Sequence, residues 1–170
     1  MKKIICIALC ISSIFVFGSC SESKPDIYSM LVGLCDIFDD EYGPSLLYSD
    51  IETDGFHTAS TEEFGRLFTG RIEPPYCFSR IAGYAIRLPV DDSGFEIHIV
   101  LCVNRSDTEE IAELLQKRVD RIRDSEIREY APESYEKYFL GAEIYVYKSA
   151  VFLLATPDNL AVKKEIKRLY

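Results

Sequence analysis

The stretch IAGYAIRLPVDDSGFEIHIVLCVN (residues 81–104) decides the fold class of this chain. Its first part alternates large apolar side chains with small or charged ones. The alternation resumes after DDSG (residues 91–94), which has the composition of a turn. A period of two is typical of β-strands, and two such runs around a glycine-containing turn predict a β-hairpin.

A second hairpin is predicted farther along the chain. Residues 143–147 and 150–156 are rich in strand-forming residues and are joined by Lys148 and Ser149. A two-residue connection between such runs is a common hairpin turn.

Each hairpin is followed by a segment with helical periodicity. The first helix is predicted to begin at a capping box of Ser106 and Glu109 and to run to about Asp124. The second is predicted to be capped by Thr156, with Pro157 in its first position. The order strand–strand–helix therefore occurs twice.

The residues ahead of the first hairpin are predicted to be helix and loop. Apolar side chains at helical spacing predict a helix over 26–40. The segment 45–60 is predicted to be a loop with a short extended piece. A Ser60–Glu63 capping box predicts a short helix over 61–68.

These elements together predict an α+β fold. We expect a four-stranded antiparallel sheet, built from the two strand–strand–helix units, with helices packed on it. Residues 26–170 are predicted to form a single domain. Its N-terminal part, 26–80, is helical and loop, and 81–170 is the sheet core.

The start of the chain has the layout of a lipoprotein signal. A basic MKK and an apolar run to Phe17 precede Gly18-Ser19-Cys20. The run is shorter than the roughly 20 residues that span a bilayer. We therefore predict a signal peptide over 1–19, a lipidated Cys20, a short linker over 20–25, and attachment to the extracytoplasmic face of the cell membrane. The alternative is an ordinary secretory signal.

Charge and cysteine usage exclude several classes of function. Loss of Lys2 and Lys3 with the signal peptide takes the formal net charge from −9 to −11, which argues against nucleic-acid binding. Cys35, Cys77 and Cys102 would remain, an odd number that leaves open one disulfide plus one free thiol. No CxxC pair occurs, and no cofactor is indicated.

A segment with the pattern Tyr-x-Pro-Glu-x-Tyr follows the first hairpin and its helix. It consists of Tyr130, Pro132, Glu133 and Tyr135. With Glu96 opening a strand and a second hairpin after it, the chain resembles a group of clostridial lipoproteins that share a single domain of unknown function. Ser149 departs from the glycine that the family favours in that turn. The resemblance implies an envelope location and this fold, and no known reaction.

One strand carries residues that suggest nucleophilic catalysis. Glu96, His98 and Cys102 share a strand face, but residues four apart on a strand lie about 13 Å apart. His98 cannot activate Cys102 at that distance, and Arg87 on the paired strand is the predicted neighbour of Glu96 or His98. We therefore predict a polar sheet face and no catalytic set.

An acidic turn partly matches a calcium loop. Asp50, Glu52, Asp54 and Gly55 resemble its opening, but Thr61 stands where the twelfth residue should be a bidentate glutamate. Asp50, Glu52 and Asp54 are thus a weak calcium candidate, and an acidic turn is the favoured interpretation.

Aromatic side chains of the second hairpin define a candidate binding face. Tyr145, Tyr147 and Phe152 are predicted to share one face of the sheet, beside the polar residues of the first hairpin. The candidate binding face comprises Arg87, Glu96, His98, Tyr145, Tyr147 and Phe152. The alternative, which we favour, is that the N-terminal helices fold over this face and bury it.

The sequence therefore favours a lipid-anchored, non-enzymatic envelope protein that binds a protein or a small ligand. Its expected partners are the membrane, through the N-terminal lipid, and an envelope protein. The alternatives are an envelope enzyme with a site assembled from distant residues such as His57 and His98, and a weak calcium-binding module.

Overall fold

The computed structural model of the chain describes residues 24–38, 44–90, 94–124 and 132–170. The predictions for the signal peptide, Cys20 and Tyr130 lie outside these residues. None of the helices in the described ranges has the length and apolar character needed to cross a membrane.

The described residues contain one mixed sheet of six strands. They are β1 Ser45–Ser49, β2 His57–Thr58, β3 Ile81–Pro89, β4 Glu96–Cys102, β5 Glu143–Tyr147 and β6 Ala150–Ala155. Their order across the sheet is β2-β1-β3-β4-β6-β5. Neighbouring strands are antiparallel except β1 and β2, which are parallel. The α+β class is confirmed, but the prediction of a four-stranded, purely antiparallel sheet is wrong.

The additional strands come from the segment that was predicted to be a loop with a short extended piece. The extended piece is β1, which pairs with β3 over five residue pairs. Its sequence, SLLYS, has three consecutive apolar residues and no alternation, so periodicity alone could not identify it. β2 has only two residues and is held by its pairing with Tyr48 and Ser49.

Within the described ranges, five α-helical segments accompany the sheet. They are α1 Ile27–Cys35, α2 Thr61–Thr69, α3 Thr108–Arg123, α4 Pro132–Ser134 and α5 Asn159–Leu169. α4 continues as a π-helical turn over Tyr135–Phe139. The predicted capping box of Ser60 and Glu63 at the start of α2 is confirmed.

Two other predicted caps are wrong. The box before α3 is formed by Asn104 and Asp107, and it closes a 3-10 turn that leads into the helix. α5 is capped by Asp158, whose carboxylate accepts a hydrogen bond from the backbone N–H of Ala161. Both segments contain several residues that can cap a helix within a few positions, so the sequence alone does not identify the residue that forms the cap.

Helices cover both faces of the sheet. α2 and α3 lie on the face that carries Tyr84 and His98, which we call the α2/α3 face. α1 and α5 lie on the opposite α1/α5 face, where Lys163 of α5 lies over the ring of Tyr145. The central strand β4 is buried along its whole length. The buried polar residues of the described chain are Ser49, Arg87, Glu96, His98 and Thr156.

Candidate functional site: a buried ion pair beneath a charged groove

The predicted binding face is divided between the two sides of the sheet. Residues directly opposite in an antiparallel pair share a face. Arg87 is paired with Ile97, so it faces away from Glu96 and His98. Tyr145 is paired with Phe152 on the α1/α5 face. The prediction that these six residues share one face is therefore wrong, because the registers of β3 and β6 against β4 place Arg87 and the three aromatic residues on the opposite face from Glu96 and His98.

The aromatic side chains of the second hairpin are covered by helices. Phe152 is fully buried, and Tyr145 and Tyr147 are half-buried. The ring of Tyr170, after α5, meets Tyr147 edge-on with centroids 5.4 Å apart. The favoured alternative was burial under the N-terminal helices. α1 packs on β3 and β4 of this face, whereas α5 and Tyr170 cover the two tyrosines, and α2 lies on the other side.

Arg87 is a buried cation on the α1/α5 face. Its guanidinium carbon lies 3.6 Å from the centroid of the Phe95 ring, and its Nη1 donates a hydrogen bond to the Phe95 carbonyl. Burial lowers the pKa of Arg87, and nearby groups including Cys35 partly oppose that shift. The residue therefore has a structural role beneath α1.

A buried ion pair with a histidine lies on the α2/α3 face. Arg118 of α3 binds Glu96 with two nitrogens, Nη2 to Oε1 at 2.6 Å and Nε to Oε2 at 3.3 Å. His98 Nε2 lies 2.9 Å from Glu96 Oε2. Glu96 and His98 are 2% and 0% exposed. Bidentate arginine–carboxylate contacts of this kind are strong and directional.

The charges of this cluster follow from its surroundings. Burial alone would raise the pKa of Glu96, but the charge of Arg118 and the hydrogen bonds from His98 and Arg118 outweigh it and lower the pKa to about 2. Burial lowers the pKa of His98, and its hydrogen bond to Glu96 opposes that only in part. His98 is therefore a neutral donor to a carboxylate at pH 7.

Glu96 and His98 are sealed from solvent, whereas the Arg118 side chain is 15% exposed. Phe68 of α2 meets the ring of His98 edge-on, with centroids 5.4 Å apart. The other ring nitrogen of His98, Nδ1, is buried and has no hydrogen-bond partner. Burial also raises the pKa of Cys102, to about 12. The Cys102 thiol is neutral and the His98 imidazole is enclosed. The sequence predicted a half-exposed polar face for this strand, and α2 and α3 bury it instead.

The weak calcium candidate is used for structure. Asp50 Oδ1 accepts hydrogen bonds from the hydroxyl of Tyr28, at 2.8 Å, and from the backbone N–H of Tyr84, at 2.9 Å. Glu52 and Asp54 are exposed. No group of three or more histidine, cysteine or acidic side chains in the described ranges is placed to hold a metal ion. Asp50 therefore joins α1 to β3, and the three acids do not form a ligand set.

The remaining predicted residues are dispersed. His57 is exposed in β2, beside Tyr48. Pro132 and Glu133 of the family-like segment are exposed, and Tyr135 is half-buried against the core. Cys35, Cys77 and Cys102 are all free thiols, so the disulfide that the sequence left open is not present among them.

A groove between α2 and α3 was not predicted. It encloses about 750 Å³, within the range of pockets that hold drug-sized ligands. α3 forms one wall, and the connector after α2 forms the other. Phe68 lies at its base, so this ring separates the groove from His98. The lining residues are Phe68, Thr69, Arg71, Glu73, Pro74, Pro75, Tyr76, Lys117, Asp120, Arg121 and Asp124.

The connector wall is fixed by close packing against α2. A Cβ on Gly65 would lie 2.5 Å from the backbone carbonyl oxygen of Glu73, so only glycine allows this approach. Arg121 Nη1 donates to the Arg66 carbonyl at 2.9 Å and ties α3 to the end of α2. Lys117 Nζ lies 5.4 Å from the ring centroid of Tyr76 and joins the two walls.

The charged groups of the groove are not paired with one another. Three basic and three acidic side chains line it, and none makes an ion pair with any described residue. The charge sequence of α3 and the Pro-Pro-Tyr of the connector were the available signals in the sequence. Neither feature indicates a groove by itself, because the groove forms only when the fold places α3 opposite the connector.

Comparisons with known proteins give no relative: no family model, curated protein or solved structure matches the chain. The support for a function therefore comes from the sequence and from the geometry of the groove and the buried cluster.

Proposed function

We propose that this protein is a lipid-anchored lipoprotein of the bacterial cell envelope, and that it binds a partner through the groove between α2 and α3. The observation that carries the proposal is the set of six charged side chains that line one concave surface and have no ion-pair partners among the described residues. Charged groups in a concave site provide specificity when a partner of complementary charge docks.

Among the described residues, the reactive side chains of β4 are not accessible to a substrate, which supports binding rather than catalysis. Glu96 and His98 are enclosed by α2, α3 and the sheet, and Cys102 is buried. The enzyme alternative relied on His57 and His98, which lie in strands β2 and β4, not adjacent in the sheet. The calcium alternative relied on Asp50, which is bound to Tyr28 and Tyr84.

The envelope location rests on the signal-like N-terminus and on the family resemblance. Six residues separate Cys20 from the start of α1 at Ile27, so an acylated Cys20 would keep the domain close to the membrane. The groove would then face other components of the envelope, and an envelope protein is the partner we propose.

Site-specific crosslinking in the native cell tests this function. A photoreactive phenylalanine analogue is placed at Tyr76, which is 67% exposed at the groove, and at Leu160, which is 64% exposed on α5, as the matched control. After membrane extraction, mass spectrometry identifies any acyl group on Cys20 and any crosslinked protein.

We expect an acylated Cys20 and one dominant envelope protein crosslinked from position 76 and not from 160. An unacylated chain would overturn the anchor. Equal crosslinking from both positions, or none from position 76, would overturn the groove as the binding site.

A further inference from the structure

The charges on α3 are arranged in two rows. Lys117 and Arg121 are four residues apart, and so are Asp120 and Asp124. Residues four apart lie on the same side of a helix, about 6 Å apart along its axis. The groove wall therefore carries a basic row and, beside it, an acidic row.

This arrangement does not stabilise the helix. Like charges four residues apart destabilise a helix by about 0.2–0.5 kcal/mol per pair, whereas alternating signs at that spacing would stabilise it. Opposite charges three residues apart could pair, but neither Lys117 with Asp120 nor Arg121 with Asp124 is within ion-pair distance. Asp120 instead accepts a hydrogen bond from Gln116.

The opposite wall also carries both signs. Arg71 and Glu73 lie on the connector, and neither side chain has a hydrogen-bond or ion-pair partner among the described residues. Tyr76 and Ile72 are 67% and 54% exposed along the same connector. A partner in the groove thus meets charges of both signs and an apolar rim.

The mixture of acidic and basic side chains in the groove disfavours ligands that carry charges of only one sign and ligands that carry no charge. A polyanion would be repelled by the acidic row and by Glu73, and a polycation by the basic row and by Arg71. An apolar ligand would remove water from six charged groups without replacing it. A ligand that carries both signs avoids each of these costs.

We propose that the groove binds a polypeptide segment of its envelope partner that carries acidic and basic side chains in two rows. This inference rests on the proposed function. Side chains four apart on a partner helix repeat every 6 Å or so, and side chains two apart on an extended strand repeat at roughly 6.6 Å. Both spacings match the rows of α3, and Tyr76 provides the apolar contact that is typical of peptide interfaces.

Single charge reversals test the two rows separately. Lys117→Glu reverses a charge in the basic row, and Asp124→Lys reverses one in the acidic row. Lys164→Glu is the matched control, because Lys164 is exposed on α5, on the other face of the sheet and outside the groove. Each variant carries the crosslinker at position 76 in the native cell, and the crosslinked segment is sequenced by mass spectrometry. Thermal melts of the purified variants verify that all three fold.

We expect Lys117→Glu and Asp124→Lys each to lower the crosslinking yield about tenfold, since one disrupted charge contact is worth roughly that factor. Lys164→Glu should leave the yield unchanged, and the crosslinked segment should contain both acidic and basic residues.

Three results would overturn the inference while the binding function stands. The two reversals could act in opposite directions, the segment could carry charges of one sign, or the crosslinked species could be a lipid or small molecule. If position 76 captures nothing in the unaltered protein, the proposed function fails as well.

Discussion

Replacing Arg118 with methionine is the sharpest test of the buried cluster. The substitution keeps an unbranched apolar stem but removes both hydrogen bonds from the guanidinium to Glu96. Glu96 would then be a buried carboxylate whose one remaining partner is the neutral His98. Breaking a buried ion pair by removing one partner typically costs about 3–5 kcal/mol.

The pKa of Glu96 gives an independent magnitude. It lies near 2, against an ordinary value of 4.5. Each pKa unit corresponds to about 1.4 kcal/mol, so the favourable surroundings of the carboxylate contribute about 3 kcal/mol to the free energy of unfolding at pH 7. The two values agree in order of magnitude, and we expect Arg118→Met to lower the free energy of unfolding by about 3 kcal/mol.

The pH dependence gives the second part of the prediction. The folded pKa of Glu96 lies below its unfolded value, so its contribution is complete above about pH 4.5 and is lost as the pH falls through 2. Without Arg118, only His98 opposes the effect of burial, so the pKa of Glu96 rises. The acid-induced loss of stability below pH 4.5 should therefore be much smaller in Arg118→Met than in the unaltered protein.

Urea unfolding measures the free energy of unfolding and its dependence on pH. The purified protein is unfolded between about pH 3 and pH 8, a range that includes much of the titration of acidic groups. Arg71→Met is the control, because it makes the same exchange at an exposed arginine whose side chain has no partner among the described residues, and it should change stability by less than about 0.5 kcal/mol. A cost for Arg118→Met below about 1 kcal/mol, or an unchanged pH profile, would refute the reasoning.

Three further outcomes follow from close contacts and burial. Gly65→Ala should destabilise the protein by about 1–3 kcal/mol, because the added Cβ would clash with a carbonyl oxygen of the connector. Gly33→Ala has room for the Cβ within α1 and should stabilise the protein by up to about 1 kcal/mol. Thermal unfolding of both variants measures the difference. Asp50→Ala should lower the free energy of unfolding by about 2 kcal/mol, because two hydrogen bonds are lost. Asp54→Ala, at an exposed residue, should lower it by less than about 0.5 kcal/mol. Equal effects of the two variants in urea unfolding would contradict the structural role of Asp50. The Cys102 thiol is buried and has a pKa near 12, so it should react with a thiol reagent at about pH 8 only after unfolding in urea. Rapid labelling of Cys102 itself in the folded protein, located by mass spectrometry, would contradict its burial.

The sequence was informative where periodicity was strong. The alternation in 81–104 identified β3 and β4, and the second hairpin was located to within a residue. β1 was missed as a full strand because three consecutive apolar residues are compatible with several structures. Its pairing with β3 is a contact between segments more than thirty residues apart, which no local pattern encodes.

The candidate site was less predictable than the fold. Glu96 and His98 were recognised as polar residues on one strand face, but the register placed Arg87 on the other face. Arg118 was not predicted as a partner, because it looks like any basic residue on a helix until α3 is packed above β4. The groove depends on two segments that are about forty residues apart, so only the tertiary structure reveals it.

Burial of β4 on both faces has a consequence for hydrogen exchange. Its backbone is paired with β3 on one edge and β6 on the other, and every one of its residues is buried. Its amide protons should therefore reach solvent only when the whole sheet opens, and their exchange rates should report the free energy of global unfolding. Glu96 belongs to this strand, so the difference in β4 exchange between the unaltered protein and Arg118→Met would give the cost of breaking the buried ion pair without any denaturant.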